Sequence, residues 1–118
     1  MEIMIIKDLG KNYVQVKTKY GVFISKWIGK NITIDEKVHV EIDYGKIINY
    51  NIIESKYYIG NDNGKNIICG KIIGEDDDFI QYFEIDGCIM MIELKEETLK
   101  NKFIEIEVDE IQLYPVYY

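Results

Sequence analysis

The chain has 118 residues and a net charge of −7, and hydrophobic residues make up 47% of it. This length predicts one compact domain, and the apolar content is sufficient to fill its core. The sequence contains neither Arg nor Ala and is rich in Ile, Lys, Asn and Tyr, as expected of an AT-rich coding sequence. This composition favours strands over helices, because Ala is the best helix former whereas Ile and Tyr favour β-structure. The acidic balance argues against direct binding to nucleic acid or to an anionic membrane.

No segment of the sequence predicts export or membrane insertion. The apolar start at 1–6 is followed by Lys7 and Asp8, which end it before the apolar stretch of a signal peptide forms. No apolar run approaches the roughly 20 residues that a membrane-spanning helix needs. Cys69 and Cys88 show no metal-binding or redox spacing, which favours two buried, reduced thiols over a disulfide. We therefore expect a cytoplasmic protein, either of a low-GC bacterium or of a host cell infected by its phage.

Alternation of apolar and polar residues predicts short antiparallel strands along the whole chain. The predicted strands are 2–7, 13–20, 22–28, 37–44, 46–53, 56–59, 67–73, 79–85, 88–93, 103–109 and 111–117. The alternation is clearest in 37–44 and 103–109, so these two strands are expected to bury one face. The residues expected on the buried face are Val38, Val40, Ile42, Ile104, Ile106 and Val108. The residues expected on the exposed face are His39, Glu105 and Glu107.

The predicted connections carry their own signals. Asp86-Gly87 is a strong hairpin dipeptide, and the polar segment 60–66 is the most obvious loop. A short helical turn is predicted near 94–101, where an acidic residue precedes a lysine by one helical turn. Pro115 restricts the last strand to an edge or a terminus.

A faint internal repeat links the two halves of the chain. When the sequence is shifted by 66 positions, similar patterns of alternation overlap, and Gly21 aligns with Gly87. We therefore predict a structural duplication of residues 2–44 and 68–110. Connecting strands and a loop at 45–67 are expected to join the two copies.

The predicted fold class is all-β, with roughly ten short antiparallel strands from two similar halves. Residues 1–118 are expected to form a single all-β domain, as a β-barrel or a β-sandwich. The strand order of each half resembles that of small Greek-key barrels of the OB or SH3-like kind. Two adjacent small barrels and one merged barrel or sandwich both fit the pattern. The merged form is favoured because it buries more apolar surface per residue.

The sequence offers no recognisable catalytic or cofactor-binding motif. Segment 60–65 differs from a phosphate-binding loop, because three residues separate its glycines instead of four and a strand follows it. His39 lies on an outward strand face with no second His and no suitably spaced Cys. The few Ser and Thr residues lie outside any hydrolase motif. We therefore expect no enzyme activity, no cofactor and no bound metal.

Two features remain as candidates for binding a partner. The run 75–78 concentrates four carboxylates in one predicted turn, which favours an electrostatic contact with a basic partner. The adjacent tyrosines at 57–58 must place one ring away from the core if they lie on a strand. The candidate partner-binding residues are Glu75, Asp76, Asp77, Asp78, Tyr57 and Tyr58.

An acidic all-β chain without catalytic residues favours a protein that binds another protein. We expect it to neutralise or sequester a partner with a basic surface by occlusion, as toxin-immunity and phage anti-defence inhibitors do. One alternative is a small barrel that binds a nucleotide or sugar through Tyr57, Tyr58 or Trp27. Another is a structural or accessory module of a phage. Self-association is compatible with each role.

Overall fold

The structure is a computed structural model that describes residues 1–76, 78–94 and 99–116. Strands account for 68% of the described residues, which confirms the predicted all-β fold. In chain order the strands are β1 Glu2–Gly10, β2 Tyr13–Thr18, β3 Gly21–Trp27, β4 Lys37–Tyr44, β5 Ile47–Ile53, β6 Tyr58–Asp62, β7 Lys65–Glu75, β8 Ile80–Ile85, β9 Cys88–Glu93, β10 Phe103–Val108 and β11 Ile111–Pro115.

Five of these strands form a closed barrel in the order β1-β2-β3-β11-β4. Neighbouring strands are antiparallel except for β3 and β11, which run parallel and meet through Gln112↔Lys26 and Leu113↔Trp27. The barrel closes where β4 pairs antiparallel with β1. Side chains fill its interior, so it is a packed core. Its most deeply buried residues include Ile3, Ile5, Val14, Val16, Phe23, Val40 and Leu113.

The other six strands form an open sheet in the order β5-β10-β7-β8-β9, with β6 paired alongside β7. The first part of β7 pairs with β10 and β6, and its last part pairs with β8. The N–H of Ile59 in β6 donates to the carbonyl of Tyr20 at 3.3 Å, which joins the open sheet to the barrel. Buried side chains of both sheets form one continuous hydrophobic cluster.

The pairing in the two sheets follows the same scheme. Ile5↔Val16 in the β1–β2 pair is matched by Ile72↔Phe83 in the β7–β8 pair, 67 positions later, and a register shift follows in both. Val16↔Phe23 in the β2–β3 pair is likewise matched by Phe83↔Met90 in the β8–β9 pair, 67 positions later. Val38 of β4 pairs with β1 as Ile104 of β10 pairs with β7, so β4 and β10 are related by 66 positions. An internal duplication would produce this repeated scheme of strand pairs. The duplication itself stays a prediction.

Gly21 and Gly87 lie at the matching hairpins β2–β3 and β8–β9, but one position out of register with each other. Gly87 lies in the turn between β8 and β9, whereas Gly21 is the first residue of β3. Gly21 pairs with Thr18, and the corresponding pair in the open sheet joins Cys88 to Ile85. A shift of 66 positions is therefore one residue short for these strands.

The fifth strand of each sheet comes from the other half of the chain. β5 follows β4 directly but pairs with β10, and β11 follows β10 directly but pairs with β4. The two exchanged strands have equivalent registers, since Ile47 pairs with Val108 and Leu113 pairs with Ile42. Neither sheet is therefore complete without both halves of the chain.

The predicted alternation of β4 and β10 is confirmed. Five of the six residues expected on the buried face are at most 5% exposed: Val40, Ile42, Ile104, Ile106 and Val108. Val38 is half-buried and packs against the core. His39 is exposed as expected, whereas Glu105 and Glu107 are half-buried.

The connections predicted at 60–66 and 94–101 have different outcomes. Segment 60–66 was expected to be a loop, but it is a hairpin in which β6 and β7 are joined by the two-residue turn Asn63-Gly64. Both turn residues have positive φ, at 53° and 79°, as in the hairpin turns that favour Asn-Gly. The expected loop within 45–67 is therefore mostly strand. The helical turn predicted near 94–101 depends on 95–98, which lie outside the described residues.

Candidate functional site

The acidic run lies at the turn between β7 and β8. Glu75 ends β7 and Asp78 lies in the turn, and both are exposed, whereas Asp77 is outside the described residues. The carboxylate of Asp76 accepts hydrogen bonds from the backbone N–H groups of Asp78 at 2.9 Å and Ile80 at 3.3 Å. Asp76 therefore stabilises the turn. The carboxylates of Glu75 and Asp78 are accessible to a partner.

Tyr57 is held in place by its neighbours while part of its ring stays exposed. Its hydroxyl donates to Glu84 at 3.0 Å, and its ring meets Phe103 edge-on at a centroid distance of 5.3 Å. Burial and the hydrogen bond to Glu84 raise the pKa of Tyr57 above its ordinary value. The side chain is 38% exposed. It therefore offers a fixed aromatic surface, which loses little conformational entropy when a partner binds.

Tyr58 is more strongly committed to the fold. Its hydroxyl donates to Asp62 at 2.7 Å, and the ammonium of Lys56 lies 4.7 Å from its ring centroid. The hydrogen bond to Asp62, together with burial, raises the pKa of Tyr58. Its ring covers Gly60 so closely that a Cβ on Gly60 would collide with it. The half-buried Tyr58 therefore presents less surface to a partner than Tyr57 does.

The structure does not bring the acidic run and the two tyrosines together. Tyr58 pairs with Cys69, and Glu75 lies six residues further along the same strand β7. Six residues of extended strand span about 20 Å. The predicted site residues therefore form two separate surface features.

A larger surface feature runs between β4 of the barrel and β9, which is one edge of the open sheet. Two adjoining cavities of about 400 and 540 Å³ share Glu41, Ile42 and Ile89 and together form what we call the β4–β9 groove. Its lining residues are Met1, His39, Val40, Glu41, Ile42, Asp43, Asp86, Gly87, Cys88, Ile89, Met90, Met91, Tyr114 and Val116.

The groove is apolar on its β9 side and acidic on its β4 side. Ile89 and Met91 are 58% and 67% exposed on the outward face of β9. Glu41, Asp43 and Asp86 contribute carboxylates, and no lysine is among the described residues that line the groove. An exposed apolar patch with a charged border is typical of a protein-binding surface.

Direct contacts between β4 and β9 hold the groove in shape. The hydroxyl of Tyr44 donates to the carbonyl of Met91 at 2.9 Å. At the other end, the Sγ of Cys88 lies 3.7 Å from the carbonyl oxygen of Val40. The amino group of Met1 donates to the same carbonyl at 3.0 Å. The groove is thus largely preformed, which lowers the entropic cost of binding.

Asp86 lies at one end of the groove, where Lys19 and the amino group of Met1 compensate its negative charge. It accepts a hydrogen bond from the hydroxyl of Tyr20 at 2.8 Å and forms an ion pair with Lys19 at 3.2 Å. Burial alone would raise the pKa of Asp86, but the hydrogen bonds from Tyr20 and Lys19 outweigh it and hold the pKa below its ordinary value. The carboxylate is therefore ionised at neutral pH.

The residues of potential catalytic interest are dispersed. The Nε2 of His39 lies 4.0 Å from Glu2 on an exposed strand face. Burial, together with the nearby Glu105, raises the pKa of the Cys69 thiol to about 11, so this thiol is protonated at neutral pH. Within residues 1–76, 78–94 and 99–116, no three His, Cys, Asp or Glu side chains are grouped so as to hold a metal ion. The same ranges contain no helix long and apolar enough to cross a membrane.

Trp27 does not offer a ring face for stacking. It is 3% exposed, and its Nε1–H donates to the carbonyl of Asn31 at 3.0 Å. A nucleotide or sugar inside the barrel would therefore have to displace packed core side chains.

No protein-family model, curated protein or solved structure matches the chain. Sequence reasoning missed the β4–β9 groove because it forms between strands from different halves of the chain. One signal was present in Cys88–Glu93, which is apolar at every position except the last. Such a strand, when it lies at an edge, leaves one apolar face uncovered.

Proposed function

We propose that this chain is a non-enzymatic, acidic binding protein that neutralises or sequesters a partner protein by covering its surface, in the manner of toxin-immunity or phage anti-defence inhibitors. The observation that carries the proposal is the β4–β9 groove. There the exposed side chains of Ile89 and Met91 are bordered by carboxylates and by no described lysine. A partner that surrounds an apolar contact with basic residues complements this surface.

The net charge of −7 supports the same role by steering a basic partner towards the protein. The exposed carboxylates of Glu75 and Asp78 add to this field from a separate turn. Charges of this kind act mainly on the association rate, and salt screens them over about 8 Å under physiological conditions. In this proposal the acidic turn steers the partner, while the groove and the exposed part of Tyr57 make contact with it.

The proposed site of action is a reducing cytoplasm. Cys69 and Cys88 are both free and buried. Thiols persist in this form where glutathione and thioredoxin keep them reduced.

Affinity capture from a lysate of the low-GC host tests the proposal. The immobilised protein is compared with the double variant Ile89→Ser, Met91→Ser, which removes the two exposed apolar side chains of β9 from the groove. The matched control is Val22→Ser, Ile24→Ser, which removes two apolar side chains of β3 that are 45% and 42% exposed. We expect one basic protein to be retained by the parent and by the control, and to be lost from the groove variant.

The captured protein is then purified and its own activity is measured with and without this chain. We expect a loss of that activity at stoichiometric amounts, and weaker binding at high salt. Equal capture by the groove variant would place the binding surface elsewhere. A captured protein that keeps its full activity in the complex would contradict the inhibitory role.

A further inference from the structure

The strand β5 forms the second edge of the open sheet, and among the described strands it pairs with β10 alone. None of its seven residues is charged, although charged residues make up 30% of the sequence. Two of its isoleucines, Ile48 and Ile52, are 60% and 51% exposed. An apolar, uncharged edge of this kind is a template on which another strand pairs.

The sequence of β5 reads the same in both directions, Ile-Ile-Asn-Tyr-Asn-Ile-Ile, with Tyr50 at its centre. Consider two copies of β5 that pair antiparallel, with the twofold axis at Tyr50. Each Asn then lies opposite an Asn, and each Ile lies opposite an Ile. The exposed side chain of Ile48 meets Ile52 of the second copy, so each covers the other.

The residues that flank β5 carry opposite charges at matching distances from Tyr50. Lys46 precedes the strand and Glu54 follows it, and both are exposed. Neither belongs to an ion pair within the described parts of the chain. In the register centred on Tyr50, Lys46 of each copy lies opposite Glu54 of the other. Two complementary charge pairs therefore border the uncharged strand and select this register over shifted ones.

We propose that the protein forms a symmetric dimer in which β5 pairs antiparallel with β5 of a second copy, joining the two open sheets edge to edge. A second copy is the occupant that fits, because the segment Lys46–Glu54 is complementary to itself in both charge and apolar pattern. The other edge strand, β9, is unsuited to self-pairing, since Glu41 and Asp43 lie beside it in the groove. Once two β5 strands have paired, that edge is used up and assembly stops at two copies.

One local feature of β5 has to adjust for this pairing. A bulge lies at Ile48, because Glu107 pairs with Asn49 while Val108 pairs with Ile47. Asn49–Ile53 are regular, and the bulge has to straighten along the outer edge of β5 for Ile48 and Lys46 to reach their partners in the second copy. The N–H of Tyr50 donates to the side chain of Asn49 at 2.9 Å in an exposed bond that a strand carbonyl can replace. A single strand pair buries less than the roughly 1,600 Å² of a standard interface, so we expect a dimer that dissociates on dilution.

Charge reversal at the two flanking positions tests the register directly. Sedimentation velocity is measured over a concentration series for the parent, for Lys46→Glu, for Glu54→Lys and for the double variant. Each single reversal turns both opposite-charge pairs into like-charge pairs, so the dimer dissociation constant should rise about tenfold. The double reversal restores both pairs and should return the constant to the parent value. An equimolar mixture of the two single variants should also dimerise, since their charges are complementary.

Net charge alone predicts a different result, which separates the two explanations. Lys46→Glu makes the chain more acidic and Glu54→Lys makes it less acidic, so a general charge effect would move the two variants in opposite directions. Lys17→Glu on β2 of the barrel is the matched control, and it should dimerise like the parent. A parent that stays monomeric at every concentration would overturn the proposal. Single variants that dimerise as the parent does would overturn it equally.

Discussion

The barrel and the open sheet share one pairing scheme, yet the barrel closes and the sheet does not. In the barrel, β11 lies between β4 and β3 and meets β3 through Gln112↔Lys26 and Leu113↔Trp27. Its counterpart β5 pairs with β10, while β9, the counterpart of β3, forms the far edge of the sheet. The two residue pairs between β3 and β11 thus close the barrel, whereas the open sheet leaves β5 and β9 as edge strands. Both surfaces proposed for binding, the β4–β9 groove and β5, lie at those edges.

The end of β9 bonds to the buried side chain of Gln81, whereas the end of β3 in the barrel pairs with β11. The N–H of Trp27 donates to the carbonyl of Asn12, and the corresponding N–H of Leu94 donates to Phe79, 67 positions later. Trp27 has β11 beside it, whereas the side-chain amide of Gln81 bonds to Leu94. Its Oε1 accepts from the N–H of Leu94 at 2.9 Å, and its Nε2 donates to the carbonyl of Leu94 at 3.0 Å. Gln81 thereby pairs the carbonyl of Leu94 and gives its N–H a second acceptor beside Phe79.

The largest expected effect comes from Gly21→Ala, which breaks the contact between the two sheets. Gly21 has a φ of 149°, and a Cβ there would collide with the backbone carbonyl oxygen of Ile59 in β6. That carbonyl cannot move freely, because β6 is paired along its length with β7. We expect the free energy of unfolding, measured by urea denaturation, to fall by about 3 kcal/mol.

Gly64→Ala and Gly87→Ala are the matched controls for this variant. Both glycines have positive φ, at 79° and 78°, but nothing lies within 4 Å of a Cβ at either position. These controls should cost about 1 kcal/mol each through backbone strain alone. A cost at Gly21 no larger than this would mean that the two sheets do not depend on close contact there.

The next largest effect is expected for Gln81→Leu in the open sheet. Gln81 is 1% exposed, and its loss leaves the buried carbonyl of Leu94 without this bond and weakens the pairing of its N–H. The expected cost in the free energy of unfolding is about 2–3 kcal/mol. Gln15→Leu is the control, since this glutamine is half-buried on β2 of the barrel.

Ser25→Ala is the matched change at the closed seam of the barrel. The buried hydroxyl of Ser25 donates to the carbonyl of Ile111 at 3.1 Å, and the strand pair remains when it is removed. Its expected cost is therefore smaller, at about 1 kcal/mol. If Gln81→Leu and Ser25→Ala lowered the free energy of unfolding equally, the bonds between Gln81 and Leu94 would be no more important to the open sheet than the Ser25 bond is to the barrel.

The smallest effect is expected for Tyr44→Phe, which removes the hydrogen bond from the barrel to Met91 at the edge of the open sheet. At pH 7 the loss should be about 0.5–1 kcal/mol. Burial, together with Asp43, raises the pKa of Tyr44 above its ordinary value of 10.0. Stability linked to the protonated phenol is therefore complete below pH 10 and is lost as the pH rises through the folded-state pKa.

Denaturation across an alkaline pH series measures this linkage. The parent should lose stability above pH 10 more steeply than Tyr44→Phe does. Tyr114→Phe is the control, since its hydroxyl bonds to Gln112 within the barrel instead of bridging the two sheets. Identical slopes for the parent and for Tyr44→Phe would contradict a role for Tyr44 in joining β4 to β9.

Local patterns in the sequence predicted most strands, because alternation and turn residues are local properties. Lys37–Tyr44 and Cys88–Glu93 have the predicted bounds. Asn63-Gly64 was missed as a hairpin turn because the polar residues on both sides of it masked the strands β6 and β7. The polarity of those residues reflects strand surfaces that face solvent.

Long-range pairing accounts for what the sequence did not predict. The exchange of β5 and β11 joins residues such as Ile47 and Val108, and no local pattern specifies such a pair. The β4–β9 groove depends on the same packing, since its walls come from the two different sheets. The acidic run 75–78 and the tyrosine pair 57–58 were each found because their members are adjacent in sequence. That adjacency gave no information on the distance between the run and the pair, which β7 sets.

The exchange of fifth strands has a consequence for synthesis on the ribosome. The strands β1 to β4 emerge first, but the barrel cannot close until β11, at Ile111–Pro115, has been made. Until then the backbone groups of β4 that pair with β11, from Val40 to Tyr44, lack their partner strand. Strand edges left unpaired during synthesis can pair with other chains and aggregate. We therefore expect chaperone binding to the nascent first half to raise the yield of folded protein. The barrel can therefore close only after β11 has been translated.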